Sequence, residues 1–230
     1  MNVYYDLHIH SCLSPCGDND MTPNNIVNMA MLNGLDMIAL TDHNSCKNCP
    51  AAVAVGKSAG VTVVPGMELT TCEDIHVVCY FPDCDSALSF SDAVDKLRVP
   101  IENNPEIFGD QLIMDENDDI IGKEPNLLIN SCNIGIMDVK ALVHRFGGAC
   151  IPAHVDRDSY SIISVLGEIV PECGFDFIEV STAGDPKIYG HPFFISSDAH
   201  YLENISERER MAELKTNEAQ ALIDLINGGC

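Results

Sequence analysis

Short β-rich runs and helix-like segments take turns along most of this chain, and that alternation restricts its fold more than any other feature. Candidate strands cover residues 3–9, 37–41, 61–65, 75–81, 127–130, 150–153, 175–180 and 193–196. Candidate helices lie between them, at 23–33, 51–59, 87–97, 137–146 and 161–170. Gly34, Gly60, Gly147 and Gly174 follow helices where a C-cap belongs, and Thr22-Pro23 reads as an N-cap with proline at the first helical position. Strand and helix in regular alternation predict parallel strands joined by crossover helices. Seven or eight such units suit a closed (β/α) barrel with its site at the C-terminal ends of the strands. An open doubly wound sheet is the competing fold, but it would not gather residues from so many strands around one point. Residues 98–125 break the rhythm: they are acidic, punctuated by Pro100, Pro105 and Gly109, with a small hairpin predicted over 113–121. This insertion reads either as a lid or as a solvated excursion. Residues 206–228 are predicted to form one or two amphipathic helices closing a single domain over 1–230.

Chemistry concentrates at the strand ends. In Asp6-Leu7-His8-Ile9-His10 two imidazoles lie two residues apart, so on a strand both point to one face. Two converging imidazoles are half of a transition-metal site. Ligand-type residues recur in Thr41-Asp42-His43, Gly66-Met67-Glu68, Ile75-His76, Ala153-His154 and Ser197-Asp198-Ala199-His200. Six of the eight histidines fall in such places.

Charge and cysteine content narrow the partners. The net charge of −23, from 35 acidic against 12 basic residues, repels phosphate backbones, so a large nucleic-acid footprint is not expected. A small anion remains compatible, because bound metal reverses the potential inside one pocket. No apolar run approaches the roughly 20 residues that cross a bilayer, and no secretory signal opens the chain, so a cytoplasmic protein without membrane contact is expected. Eleven cysteines, an odd number partly in apolar runs, read as reduced thiols. Nothing in the sequence specifies an oligomeric state.

These motifs, in this order from Asp6 to His200, resemble the polymerase-and-histidinol-phosphatase (PHP) superfamily. The resemblance implies a distorted (β/α)7 barrel, two or three metal ions and phosphoesterase activity. It also implies that His8, His10, Glu68 and Asp198 hold a first metal, and that Glu68 bridges to a second held by His76 and His154. A third would be held by His43 and His200 with a ligand from the loop after His10, where alignment offers either Cys16 or Asp18. A thiolate there favours zinc or iron, a carboxylate manganese. The expected reaction is hydrolysis of a small phosphorylated metabolite, a phosphomonoester or nucleotide, by a metal-bridging hydroxide. Glu68 and Asp198 would be central to it, and Arg157 would grip the phosphate by a bidentate fork.

Other readings stay open at this level. One is a phosphodiesterase or exonuclease acting on nucleic acid; another is a non-catalytic metal-binding regulatory or redox-sensing domain, motivated by the Cys46–Cys49 pair beside the second motif. Asp6 and Asp42 adjoin ligand positions and are expected to accept imidazole N–H groups. Lys187 is a second candidate phosphate contact, whereas His144 and His191 read as surface or packing residues.

Overall fold

The computed structural model describes residues 1–181 and 190–228. Its strands are β1 (Asn2–Ile9), β2 (Met37–Leu40), β3 (Thr62–Thr70), β4 (His76–Tyr80), β5 (Leu112–Met114), β6 (Ile120–Lys123), β7 (Ala149–Pro152), β8 (Ile178–Ser181), β9 (Phe193–Ser196) and β10 (Met211–Glu213). The helices are α1 (Pro23–Leu32), α2 (Cys49–Ala59), α3 (Cys84–Asp95), α4 (Pro105–Phe108), α5 (Ile136–His144), α6 (Ile162–Leu166) and α7 (Ala219–Ile226). Thr22 caps α1 as expected, its side chain accepting from the Asn25 N–H. No helix among the described residues is long and apolar enough to cross a membrane.

Six strands form one sheet in the order β10-β1-β2-β3-β4-β7, curled into a half-barrel, and β8 and β9 pair in parallel beside it. A single bridge, Ile9 to Ala199, links β1 to the segment after β9. Only part of the parallel repeat is realised. The strands β1, β2 and β3 run parallel with helical crossovers, but β4 is antiparallel to both β3 and β7. The reason is length: residues 71–75 between β3 and β4 suffice for a hairpin, whereas a crossover needs about a dozen residues. The described ladders are therefore a half-barrel with two reversed strands, β4 and the edge strand β10, not a closed ring of seven parallel strands.

Two further expectations change. Residues 127–130 form a turn, because side chains take up their backbone groups: Gln111 accepts from the Leu128 N–H, and Asn44 donates to the Leu128 and Asn130 carbonyls. The tail contributes one helix, α7, preceded by β10, which pairs with β1 in the register Asn2–Glu213. The hairpin expected in the insertion is β5–β6, and it is neither free nor solvated on its inner side. Leu112 and Met114 are buried with Cys12, and the Asn48 side chain bonds the backbone of both.

The sheet separates two apolar layers. Ile38, Leu40, Met67, Leu69, Val77 and Cys79 face the helices, while Met37, Ala39, Val64, Val78 and Tyr80 fill the concave side with Leu222, Ile223 and Ile226 of α7. A register irregularity between Asp6 and Ile9 changes the parity of β1. Val3, Tyr5 and Leu7 belong to the concave layer, yet Ile9 belongs to the helix side. His8 and His10, flanking Ile9, are thereby aimed into the concave side, a use of the bulge to redirect side chains.

Gly66 lets β3 pass close to its neighbours. A Cβ there would lie 2.7 Å from the Cys79 carbonyl oxygen and 2.9 Å from Thr41 Cγ2. Gly66→Ala is expected to destabilise the fold by about 1–3 kcal/mol, the usual range for overpacking, read as a lower midpoint in urea denaturation.

Candidate metal centre

One buried carboxylate collects the histidines. Glu68 sits near the end of β3, 1% exposed, and five imidazoles approach it. His8 Nε2 (3.4 Å), His76 Nδ1 (2.8 Å) and His154 Nε2 (3.2 Å) face its Oε1. His10 Nε2 (3.3 Å) and His43 Nδ1 (3.1 Å) face its Oε2. The β3–β4 reversal makes this possible, since Thr70 pairs with His76 and the start of β4 therefore lies at the same rim as the end of β3. Asp198 completes one side, its Oδ1 3.3 Å from His8 Nε2 and 3.0 Å from His10 Nε2.

Three groups bring potential ligand atoms within 4.8 Å of one another: His8, His10, Glu68 and Asp198; His43, Glu68 and His76; and His10, Cys16, His43 and His200. The first matches the set implied by the resemblance. The second takes His43 where His154 was expected, although His154 still reaches Glu68. In the third, the structure brings in Cys16. Asp18 is directed elsewhere: its N–H donates to the His200 carbonyl and its carboxylate accepts from the Asp20 N–H. Gly17 allows this loop to fold tightly, since a Cβ there would lie 2.2 Å from the Ser11 carbonyl oxygen.

The donor set fits divalent transition metals: imidazole nitrogen with carboxylate oxygen, and one thiol. Buried polar atoms point the same way. Although Nδ1 of His43 and of His76 lie near Glu68 and Oδ1 of Asp198 near His10, none of the three finds a hydrogen bond of proper geometry among the described residues. Two imidazole nitrogens, His8 Nε2 and His10 Nε2, confront each other at 3.1 Å, an arrangement that a shared cation would relieve. His154 and Asp198 also have left-handed backbones, φ 28° and 52°. Such strain costs about 1–3 kcal/mol per residue and gathers at functional sites.

Protonation follows from burial and mutual charge. Burial would raise the Glu68 carboxyl, but His76, His8, His43 and His10 outweigh it and hold the group well below its usual range. Asp198 is likewise raised by burial and lowered more strongly by His8 and His10. Burial works against a charged His10, yet Asp198 and Glu68 lift it to about 9, and against the same burial Glu179, Asp198 and Glu68 hold His8 well above the usual imidazole range. Burial keeps His43 low, and burial with His10 beside it lowers His200 to about 4. Cys16 is exposed, yet crowding of its thiol by surrounding protein, with Glu68, Asp198 and Asp42 nearby, raises it.

A supporting layer holds these rings. His8 Nδ1 donates to Glu179 Oε1 at 2.9 Å, and the same oxygen accepts the His154 N–H at 3.1 Å. Sequence reasoning missed Glu179; the available signal was a carboxylate between Ile178 and Val180 in an apolar strand. Asp42 reaches His10 through Ser14, whose hydroxyl donates to Asp42 Oδ1 (2.6 Å) and faces His10 Nδ1 (3.0 Å). Asp6 does not meet an imidazole. It accepts from the Ser197 and Ser206 N–H groups and so pins the segment that carries Asp198.

The pocket over this cluster has a volume of about 170 Å³, and Arg157, Ser159 and Tyr160 form part of its lining. Arg157 turns inward, Nη1 on Asp198 Oδ2, and does not pair with Asp156 or Asp158. Lys187 lies outside the described residues. His144 lies on the surface of α5 against Asn227, in keeping with a packing role. Cys46 and Cys49 are buried and direct their thiols at the Gly66 carbonyl, at 3.1 and 3.5 Å. They belong to no metal-type group among the described residues.

The family model of the PHP domain matches residues 6–224. The chain belongs to the PHP domain family. As a member it is a metal-dependent hydrolase. Over 81 residues this PHP chain is 32% identical to the 5′-3′ exoribonuclease of Haemophilus influenzae, a match spanning 34% of the chain and 28% of that enzyme. Its fold resembles a lesion-specific endonuclease of Pyrococcus furiosus (TM-score 0.68, 20% identity), covering 99% of this chain and 56% of that one. Endonuclease Q has also been solved with a 27-mer duplex carrying an abasic lesion at its active site (TM-score 0.67, 19% identity; 99% of this chain, 57% of that one). A metal-dependent phosphoesterase structure from Bifidobacterium adolescentis aligns with TM-score 0.61 and 16% identity over 98% of this chain and 96% of its own length. The chain thus spans under two thirds of the exoribonuclease and of the endonuclease, and both act on nucleic acid, the partner class that the acidic composition argues against.

Two outcomes test the cluster. Glu179→Gln keeps the shape but removes the charge behind His8, and should weaken binding of the first metal about 10–100-fold, measured by competition with a chelator. Because metal requires neutral imidazoles, loading at pH 7 should expel protons from His8 and His10, and apparent affinity should rise with pH through about 9, where His10 loses its proton. Calorimetry in buffers of different ionisation enthalpy counts these protons, with one more if the Cys16 thiol ionises on binding.

Proposed function

We propose that this PHP chain is a phosphoesterase that hydrolyses a small phosphorylated metabolite, a phosphomonoester or nucleotide, with two or three zinc, manganese or iron ions. The observation that carries this reading is Glu68, whose two oxygens face different histidine sets with an arginine at the pocket rim. Bound metals would supply an activated water and positive charge for the phosphoryl oxygens. His8, His10, Glu68 and Asp198 would hold the first, Glu68 with His76 and His154 or His43 the second, and Cys16, His43 and His200 the third.

The protein's own groups do the rest. Glu68 presents one oxygen to each side, which imidazole, with one lone pair, cannot do. Glu179 fixes His8 with its proton on Nδ1 and its Nε2 lone pair toward the site. Arg157, now paired with Asp198, would be free to grip the non-bridging oxygens through its planar fork were that carboxylate engaged as a ligand. The small pocket admits a phosphoryl head group, and the net charge of −23 disfavours long polyanions. The nuclease reading has support in the exoribonuclease and endonuclease relatives, and a 5′-phosphorylated oligonucleotide belongs in the same assay.

The test is phosphate release from a panel of phosphorylated metabolites by protein loaded with zinc, manganese or iron. Turnover of a small phosphoester is expected. Glu68→Gln should abolish it with circular dichroism unchanged. Arg157→Ala should lower kcat/KM roughly tenfold to a hundredfold, the loss of a charge-assisted contact of about 1.5–3 kcal/mol, without changing metal content. Release from the oligonucleotide alone would move the chain to the nuclease reading, and near wild-type turnover by Glu68→Gln would remove Glu68 from the bridging role.

A further inference from the structure

We infer that Tyr160 is a stacking platform for the base of a nucleotide, so that the preferred phosphorylated substrate is a nucleoside monophosphate. The inference rests on the phosphoesterase reading and adds a substrate class to it. Tyr160 borders the pocket, and its ring lies on that of His76 with centroids 4.7 Å apart and planes 19° from parallel. One face is thus taken by a histidine that touches Glu68, yet the residue remains 50% exposed. Among the described residues no second ring covers its other face.

Its backbone is held there against preference. Tyr160 has φ 56°, a left-handed conformation uncommon for a bulky side chain. Two bonds fix the loop: the His76 N–H donates to the Tyr160 carbonyl at 2.8 Å, and the Ser161 hydroxyl donates to the Arg157 carbonyl at 2.7 Å. The same tight loop therefore presents Arg157 and Tyr160 together, a cation and an aromatic face at one rim. An aliphatic sugar phosphate uses only the first. A nucleotide uses both, with its phosphoryl group in the pocket and its base against the ring outside. Base–aromatic stacking contributes about 1–3 kcal/mol, which is roughly fivefold to 150-fold in affinity.

The test uses hydrolysis-resistant phosphonate analogues, so that binding is measured apart from turnover. Metal-loaded protein is titrated by calorimetry with the analogues of adenosine 5′-monophosphate and of ribose 5-phosphate. Wild type should bind the nucleotide analogue at least fivefold tighter; Tyr160→Leu should bring the two together by weakening only the nucleotide analogue, and Tyr160→Phe should keep the preference. A role confined to orienting His76 would instead weaken both analogues in parallel or lower metal content, and would overturn the platform, as would equal affinities in wild type. The phosphonate analogue of a 5′-phosphorylated dinucleotide should bind no tighter than that of the mononucleotide; tighter binding would overturn the assignment to free nucleotides. Absence of phosphate release from any metabolite would defeat the phosphoesterase reading separately, since base preference in binding does not depend on turnover.

Discussion

A single desolvated carboxylate organises this molecule. Removing an ion from water costs several kcal/mol even after relaxation, so Glu68 can stay charged only if positive charge surrounds it. The fold answers with imidazoles from β1, β4 and the segments following β1, β2 and β7. The imidazoles of the cluster do not titrate alike: neighbouring carboxylates raise His8 and His10, whereas burial and neighbouring imidazoles lower His43 and His200. The arrangement is balanced by protons at one extreme and by divalent cations at the other. Stability and metal loading are thereby aspects of one electrostatic requirement.

Three local devices make that convergence geometrically available. The bulge in β1 turns His8 and His10 inward just as the strand ends. The β3–β4 hairpin sets the beginning of one strand beside the end of the previous one. Glu179, on β8, ties His8 and the His154 backbone to the separate strand pair, so that pair is coupled to the main sheet through the site itself. Polar atoms do the joining where the sheet's own ladder stops.

Much of this was legible in the sequence, and the gaps have identifiable causes. The HxH spacing and the polar residues at strand ends announce the cluster because strand period and ligand chemistry coincide there. The direction of β4 is hidden: its apolar run looks like any buried strand, and only the length of the segment before it, once β3 is seen to extend to Thr70, reveals a hairpin. Glu68 and Thr70 masked that extension by breaking the apolar pattern. Residues 127–130 misled in the opposite sense, since Leu127 and Leu128 are buried but their backbone bonds to side chains and turns, not to a strand. The choice between Cys16 and Asp18 depends on a loop whose path is set by the close approach of Gly17 to Ser11, which spacing cannot express.

The connection from β3 to β4 also constrains how such a chain can vary. Long connections can grow without disturbing the strands they join, and residues 98–125, between β4 and β7, form such an excursion, anchored by Asn48 and Cys12. The turn at 71–75 has no such freedom. Side chains on a strand alternate faces, so a one-residue slip of β4 against β3 would carry His76 to the helix side and leave Glu68 with one imidazole fewer. Loop length here behaves as a gauge of fixed size, and among relatives with this geometry, insertions should accumulate at the crossovers and spare this turn.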